Sequence, residues 1–405
     1  MKRFFKQKQP YIALVAVFAV ILLLGLAQLG SSVNPVPKNL PVLLVQTDEG
    51  VKLPNGTEMN YGKLIEDKMT LKETATGGVS PLIWTKAANE QEARDAMNRE
   101  KAYAAVIIPE DFSAKLASLM IPTGAPASAR IIVNQGMNNS GATMTSQILT
   151  QMFTAVNGQI REQMLDQLGK AGATLTAEQT KAIATPVLLT TENINAIGTS
   201  SANGNAPVAL TQIVWFAAMV TTLLLHFATK NTALDGSLGH RFGIRLAQLL
   251  TGAVITAVAA ASVLLIIGKW VGLSIPDYNE IGLYLFLICF SFFLIQSAIV
   301  SWLGMAGVPL FVLVFFFGAP ILSLPPQILP QFSHDWLYSW VPFRFSAEIL
   351  RDLFYFRQGL NLDQPLAILA TIGAVSLVVF LLSALKKRPA AEHEARPAAE
   401  LAGEF

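Results

Sequence analysis

The chain is poor in charged residues and has almost no cysteine. Only 14% of its 405 residues are Asp, Glu, Lys or Arg, whereas soluble globular proteins carry about 25%. With 52% apolar residues, the composition excludes the disordered and collagen-like classes. The one cysteine, Cys289, excludes an intrachain disulfide, and a net charge of +2 is too balanced to indicate a nucleic-acid-binding protein. These values predict a polytopic membrane protein with one substantial polar domain.

The sequence also lacks the motifs of enzyme active sites. The four histidines, His226, His240, His334 and His393, lie far apart and show no metal-ligand spacing. Neither a Gly-x-Ser-x-Gly nucleophile elbow nor a nucleotide-binding loop occurs. We therefore predict a protein that is not an enzyme and that has no catalytic, cofactor-binding or metal-binding residues.

Long stretches without Asp, Glu, Lys or Arg predict six transmembrane helices, because a spanning helix needs roughly 20 apolar residues. The first stretch also fits a cleaved signal peptide, but Leu29 stands where a cleavage site needs a small residue, so an uncleaved anchor is favoured. A turn around Gly304 and Gly307 would separate the fourth span from the fifth. The predicted spans are Tyr11–Leu29, Val208–Thr229, Leu246–Gly268, Ile281–Leu303, Met305–Leu324 and Gln364–Leu385.

The positions of the cations near the span ends predict that both termini are cytoplasmic. Three flanking segments are basic, and with six spans all three fall on the same side of the membrane. Residues 31–207 then lie outside. The cations are Lys2, Arg3, Lys6 and Lys8 before the first span, Lys230, Arg241 and Arg245 after the second, and Lys386, Lys387 and Arg388 after the last.

Residues 31–207 are charged like a soluble domain, with 14 Lys or Arg and 16 Asp or Glu. Short apolar runs alternate with helical patterns there, which indicates an α/β domain. Asn89 with Glu92 three residues later predicts the start of a helix, and Asp111 predicts another. The predicted strands are Pro41–Val45, Pro81–Trp84, Tyr103–Ile108 and Arg130–Val133, and the predicted helices are 89–101, 111–119 and Ser140–Leu168, followed by a polar connector.

The predicted fold is therefore a membrane all-α protein with six transmembrane helices and an extracytoplasmic α/β domain inserted between the first and second spans. Residues 1–30 form the cytoplasmic tail and first span, and residues 31–207 form the outer domain. Residues 208–385 form a five-helix membrane domain with an outer re-entrant segment at 335–358, and residues 386–405 form a disordered cytoplasmic tail.

The outer domain begins with LPVLLVQTDEG at Leu40–Gly50, followed by Asn55-Gly56 and Tyr61-Gly62-Lys63-Leu64. These motifs resemble the phage infection protein (Pip/YhgE) family, whose pattern reads PVAVVN-D-G, then a glycine turn and LG..L. The segment Tyr103–Ser113, YAAVIIPEDFS, resembles a block shared with the wider type-2 ABC exporter permease superfamily. Ala206-Pro207, and Pro342 with the later Leu350-Arg351-Asp352, resemble further permease positions.

The resemblance covers nearly the whole chain and implies the permease half of a type-2 ABC exporter in a bacterial cytoplasmic (inner) membrane. Such a half dimerises, with itself or with a second permease half, and a separate ATP-binding cassette subunit hydrolyses ATP. Because the predicted spans contain no Asp, Glu, Lys or Arg, an ion-coupled carrier is disfavoured and a hydrophobic or amphipathic substrate fits better. The alternative is a non-transporting surface receptor or secretion-scaffold protein, although such relatives have longer outer domains.

The segment Asn231–Leu246 carries an apolar stripe, because apolar residues recur there every four positions. Two arginines lie on a neighbouring face. Such a helix can dock into a groove of a partner protein, and the resemblance implies that the loop after the second span contacts the ATPase. The alternative is a surface helix whose arginines only set orientation. The predicted ATPase-coupling residues are Leu234, Leu238, Arg241, Phe242 and Arg245.

The segment Asp335–Arg357 lies outside in this topology and is rich in Trp, Tyr and Phe, which favour the membrane interface. Pro342 predicts a break between two short helices that dip into the outer leaflet. The resemblance implies that such a re-entrant pair caps the translocation path, and the alternative is a simple interfacial anchor. The predicted outer-gate residues, which share one helical stripe, are Arg344, Glu348, Arg351 and Asp352.

Two further segments indicate membrane and helix contacts. Lys2-Arg3-Phe4-Phe5-Lys6 is typical of an interfacial helix on an anionic leaflet, so membrane lipid is an expected partner. The alternative is a tail whose cations only set the orientation of the first span. The third span is rich in small residues such as Gly252, Thr256 and Ala260, which let helices approach closely. A dimer seam and packing within the subunit both fit this face.

Overall fold

The protein is mostly helical, with an α/β region towards the N terminus. The predicted first span, Leu234 and residues 387–405 lie outside the part of the chain that the structure describes. This structure, a computed structural model, describes residues 36–52, 58–67, 80–121, 123–170, 172, 174–231, 237–356 and 364–386.

A five-stranded mixed sheet lies at the centre of the α/β region, with strand order β4-β1-β5-β6-β7. Only the β5–β6 pair is antiparallel among the neighbours in this sheet. The middle strand β5 is buried along its whole length, as a strand covered on both faces must be. The strands are β1 Leu40–Gln46, β4 Leu82–Lys86, β5 Ala104–Ile108, β6 Ala127–Asn134 and β7 Val187–Ile194, and β2 Val51–Lys52 pairs separately with β3 Glu58–Met59.

Helices cover both faces of the sheet. Alternate residues of β1 point to opposite faces, so they pack against different helices. Val42 and Leu44 join a core with residues of α3 and α4, whereas Leu43 and Val45 join a second core with α2. The helices of this region are α1 at residues 61–67, α2 Glu90–Asn98, α3 Phe112–Ser118, α4 Asn139–Lys170 and α5 Ala177–Ala184.

The predicted elements of this region are all present, and the structure adds five that the sequence did not predict: α1, β2, β3, α5 and β7. The Asn89 side chain accepts a hydrogen bond from the Glu92 N–H at 2.9 Å, as the capping pattern predicted. Asp111 precedes α3 but pairs with Lys115 at 2.8 Å and does not cap the helix. The stretch predicted as a polar connector contains α5 and the edge strand β7, whose exposed polar positions hide its strand pattern.

Four stretches of the described residues are long and apolar enough to cross a membrane: Ala206–Thr229, Leu238–Trp270, Tyr278–Leu322 and Gln364–Leu385. The six-span count stays a prediction. The third stretch is interrupted by a 3-10 turn at Gly304–Gly307, where Gly304 has φ +63° and ψ −148°, a conformation that requires glycine. The break lies where the sequence predicted a turn.

The long helices are α6 Ala206–Asn231, α7 Leu238–Val263, α8 Tyr278–Leu303, α9 Val308–Leu322 and α11 Gln364–Leu382. A π-helical segment, Leu264–Trp270, extends α7, which begins well before the predicted span at Leu246. With 15 residues, α9 is about 22 Å long at about 1.5 Å per residue, shorter than a hydrocarbon core of about 30 Å.

The central helix of the bundle is α8, which contacts α6, α7 and α11. Its buried face is aromatic and interlocks with Trp215 of α6. The Trp215 ring meets Phe292 edge-on at 5.0 Å and Phe343 at 4.8 Å between ring centroids. Such edge-to-face contacts are worth about 0.5–1.5 kcal/mol each, so they fix α6 and α8 beside the segment that carries Phe343.

The segment between α9 and α11 joins the bundle to the α/β region. It contains a π-helical turn at His334–Tyr338 and the short helix α10, Pro342–Arg351, so Pro342 starts a new helix as predicted. Leu324 and Ile328 belong to the core of the α/β region. The Tyr103 hydroxyl donates to Gln327 Oε1 at 3.0 Å. The sheet of the α/β region is therefore packed directly on the chain segment that leads into α10.

Candidate functional site

Three of the four predicted outer-gate residues lie together on α10. Arg344 Nε donates to Glu348 Oε1 at 2.7 Å, and Tyr338 donates to the same carboxylate oxygen at 3.3 Å. The Arg344 guanidinium also lies 4.5 Å from the Tyr338 ring centroid. Glu348 is thus held by Arg344 and Tyr338 rather than by Arg351, the other arginine within one helical turn.

Arg351 instead lines a polar cavity of about 370 Å³ between the α/β region and the bundle. Residues at the beginnings of α4 and α6 form parts of its wall. The fourth predicted residue, Asp352, follows α10 directly, is partly buried and does not line this cavity. The residues around the cavity are Asn138, Asn139, Ser140, Ala202, Asn203, Gly204, Asn205, Pro207, Val208, Leu322, Ser323 and Arg351.

Tyr103 joins the α/β region to the segment before α10. Burial raises the pKa of Tyr103 above its ordinary value, so its phenol stays protonated and donates to Gln327. A side chain at Gly141 would clash with Tyr103 and Pro325, and one at Gly136 would clash with Tyr355. These glycines allow the close approach of the two parts of the molecule.

At the other end of the bundle, the predicted ATPase-coupling residues begin α7. Leu238 is 51% exposed and Phe242 is 46% exposed, so both present apolar surface at this end of the helix. Exposed apolar residues continue at four-residue intervals through Leu246, Leu250 and Val254. The stripe is therefore continuous with the side of α7 that faces away from the bundle.

The two arginines of the predicted coupling segment do not share that exposed face. Arg245 is 7% exposed, donates to Gln248 at 2.9 Å and lies 5.4 Å from the Phe380 ring centroid in α11. Arg241 donates to the Lys386 carbonyl oxygen at 3.3 Å. Arg245 thus holds α7 against α11, and Arg241 holds it against the turn that follows α11. Their reversal would disturb helix packing as well as any partner contact.

The small residues of α7 pack within the subunit. A Cβ placed on Gly252 would clash with the Phe293 ring in α8, and Thr256 and Ala260 are buried on the same face. The glycine permits close contact between α7 and α8. Of the two interpretations that the sequence allowed, packing within the subunit accounts for this face.

The sequence did not predict that the resembled motifs of the α/β region meet at one buried carboxylate, Asp48. The Asp48 carboxylate accepts hydrogen bonds from the N–H groups of Gly62 and Ser113, both at 2.9 Å, and from the Ser113 hydroxyl. It also accepts from the Gly50 N–H at 3.3 Å. A Cβ on Gly62 would lie 2.6 Å from Asp48 Cβ. The D-x-G, Y-G and F-S motifs therefore converge on one buried carboxylate that ties β1 to α1 and α3.

The asparagines around Arg351 were also missed, because scattered Asn residues carry no spacing signal.

Within the described ranges, no group of three or more His, Cys, Asp or Glu residues could hold a metal ion. What the described residues offer instead is a cationic, amide-lined cavity at one end of the bundle and an exposed apolar helix face at the other.

Residues 12–378 match the family described as "Protein of unknown function (DUF3533)". No curated protein and no solved structure matches the chain. The resemblance to the phage infection protein family stays a prediction. Since the match extends over most of the sequence, from before the α/β region to near the end of α11, the chain belongs to the DUF3533 family.

Proposed function

We propose that this chain is the permease subunit of a type-2 ABC exporter that moves a hydrophobic or amphipathic substrate outwards. The observation that supports it most is the placement of α10, a short helix that lies against α6, α9 and α11. The segment leading into it is bonded to the α/β region through Gln327, and Arg351 shares a cavity with residues of that region. A helix so placed can open or close one end of the bundle when the α/β region moves.

The interior of the bundle supports an apolar substrate and an external energy source. Its buried polar groups are hydroxyls and amides, as in the Thr211–Ser346 contact at 2.9 Å and the bond from Gln296 to the Trp215 carbonyl at 3.3 Å. Proton- or sodium-coupled carriers need ionisable groups in the membrane. Arg245, the buried cation of α7, lies near one end of its helix and packs on Phe380.

In this proposal six spans place both termini in the cytoplasm, two permease halves associate, and ATP is hydrolysed by a separate subunit. Leu238 and Phe242 are the exposed residues that would contact that subunit. An exposed apolar patch beyond the hydrocarbon core is typical of a protein contact surface, and an amphipathic helix end suits a groove on the partner.

The test is a mild-detergent pulldown of the tagged chain from its native host, followed by mass spectrometry and an ATPase assay. We expect a near-stoichiometric ATP-binding subunit with vanadate-sensitive hydrolysis. Phe242→Glu should lower its recovery about tenfold, since it places a charge in an apolar contact. Leu188→Glu, an equally exposed position on β7, is the matched control and should leave recovery unchanged.

A clean preparation without an ATP-binding subunit would overturn the proposal. Secretion components in its place would favour the alternative, a non-transporting receptor or scaffold. Recovery that is equal for Phe242→Glu and wild type would keep the exporter class but remove Phe242 from the contact.

A further inference from the structure

The cavity beside Arg351 has the chemistry of an anion site. Protein atoms surround the Arg351 guanidinium. The residue remains partly exposed, because it lines the cavity. Among the described residues it forms no ion pair within 4.0 Å. Glu100 and Glu348 attract it from a longer distance, but no carboxylate lines the cavity. Burial of a cation without an ion-pair partner is costly, so an anionic ligand in the cavity would stabilise it.

Two helix N-termini add to this positive field. α4 begins at Asn139 and α6 begins at Ala206, and the cavity wall includes residues at the start of both helices. Each helix N-terminus carries a partial positive charge and N–H groups without partners inside the helix. With 32 and 26 residues, both helices are long enough for this effect. Their convergence with Arg351 concentrates positive potential in one place.

The asparagine amides are oriented by bonds to their oxygens. Asn138 Oδ1 accepts from the Gly141 N–H at 3.0 Å, and Asn205 Oδ1 accepts from the Ser323 hydroxyl at 3.4 Å. With the oxygens used in this way, the NH₂ group of each amide is the part that can donate to a ligand. Asn139 donates to the Asn203 carbonyl at 3.2 Å and closes the wall between α4 and the loop before α6.

The size of the cavity and its surroundings favour the headgroup of an amphiphile. A volume of about 370 Å³ equals roughly twelve water molecules at about 30 Å³ each. A second, mainly apolar cavity of about 340 Å³ is lined by Ile213, Ile267 and Leu273 and shares Ala202 with the first. Polar and apolar volumes thus adjoin at the start of α6, as the two parts of a lipid-like molecule require.

We propose that Arg351, the N-termini of α4 and α6, and the amides of Asn138 and Asn205 bind an oxyanion, the phosphate or carboxylate of an amphiphile headgroup. The proposal rests on this geometry and does not require that the chain transports anything. The same donors would accept free inorganic phosphate, so the experiment separates the two sources.

The test uses the full-length protein in neutral detergent and in nanodiscs. Thermal unfolding is measured with inorganic phosphate, with phosphatidylglycerol and with the zwitterionic phosphatidylcholine, because a ligand that binds the folded state raises the unfolding temperature. We expect phosphatidylglycerol to stabilise the wild type more than phosphatidylcholine. Arg351→Gln should weaken this binding about tenfold or more, the loss of one charge-assisted hydrogen bond.

Two further variants keep the result interpretable. Arg351→Lys keeps the charge and should retain part of the affinity, which shows that the site still folds. Arg161→Gln removes an exposed cation from α4 and should bind as the wild type does. Stabilisation by phosphate alone would assign the site to a free anion. Equal binding by wild type and Arg351→Gln, or equal stabilisation by the two lipids without any effect of phosphate, would overturn the proposal.

Discussion

Replacing Asp48 by Asn should loosen the α/β region at the point where its sequence motifs meet. One carboxylate oxygen accepts from the N–H groups of Gly50 and Ser113, and the other accepts from the Gly62 N–H and the Ser113 hydroxyl. An amide nitrogen at either position cannot accept, so about two hydrogen bonds to a charged group are lost. At about 1.5–3 kcal/mol each, the local cost is about 3–6 kcal/mol, a large part of a typical domain stability of about 5–15 kcal/mol.

Hydrogen–deuterium exchange on the full-length protein in detergent measures this cost where it arises. Amides of β1 and of α3 should exchange about 100-fold faster or more in Asp48→Asn, because opening of this corner becomes easier. Asp111→Asn is the matched control, since its exposed pair with Lys115 is worth no more than about 1 kcal/mol. If both variants exchange as the wild type does, the carboxylate does not hold these elements together.

Two further changes test the packing of each part. Hydrogen bonding from Arg94 lowers the pKa of Glu192 below its ordinary 4.5, so the stability that this carboxylate provides is present above that pH and is lost as pH falls through the lowered pKa. Urea unfolding of Arg94→Gln should show a weaker acid dependence than wild type, and an unchanged pH profile would contradict this. Gly252→Ala should destabilise the bundle by about 1–3 kcal/mol through overpacking against Phe293. Gly243→Ala is the control, because a Cβ there meets nothing within 4 Å. Equal melting temperatures of the two variants in detergent would refute the close contact.

The parts of the fold that depend on local pattern could be predicted from the sequence. Long apolar runs gave the helices of the bundle, and Gly304 marked the break in the longest of them. Buried strands such as β5 are continuous apolar runs and were found. The edge strand β7 was not found, because its sequence VLLTTENI is neither a continuous apolar run nor a regular alternation. Strand order could not be read, because it depends on contacts between segments far apart in the chain.

The sites were predictable as segments but not as arrangements of side chains. The stripe of Arg344, Glu348 and Arg351 follows from helical spacing, yet the spacing allows Glu348 to pair with either arginine. The structure pairs it with Arg344, because Tyr338 completes that contact. Arg245 shows the same limit. Its position in the sequence suggests a surface cation, but Phe380, on a helix near the end of the chain, covers it.

The contact between the sheet and the segment before α10 has a consequence for synthesis in the cell. Tyr103 and its partner Gln327 are 224 residues apart in the chain. At about 5–20 residues per second, the sheet emerges roughly 10 to 45 seconds before Leu324 and Ile328 arrive to complete its core. Until then the surface of the α/β region that meets this later segment remains uncovered. The time for which it is exposed is therefore set by how fast the later helices are made and packed.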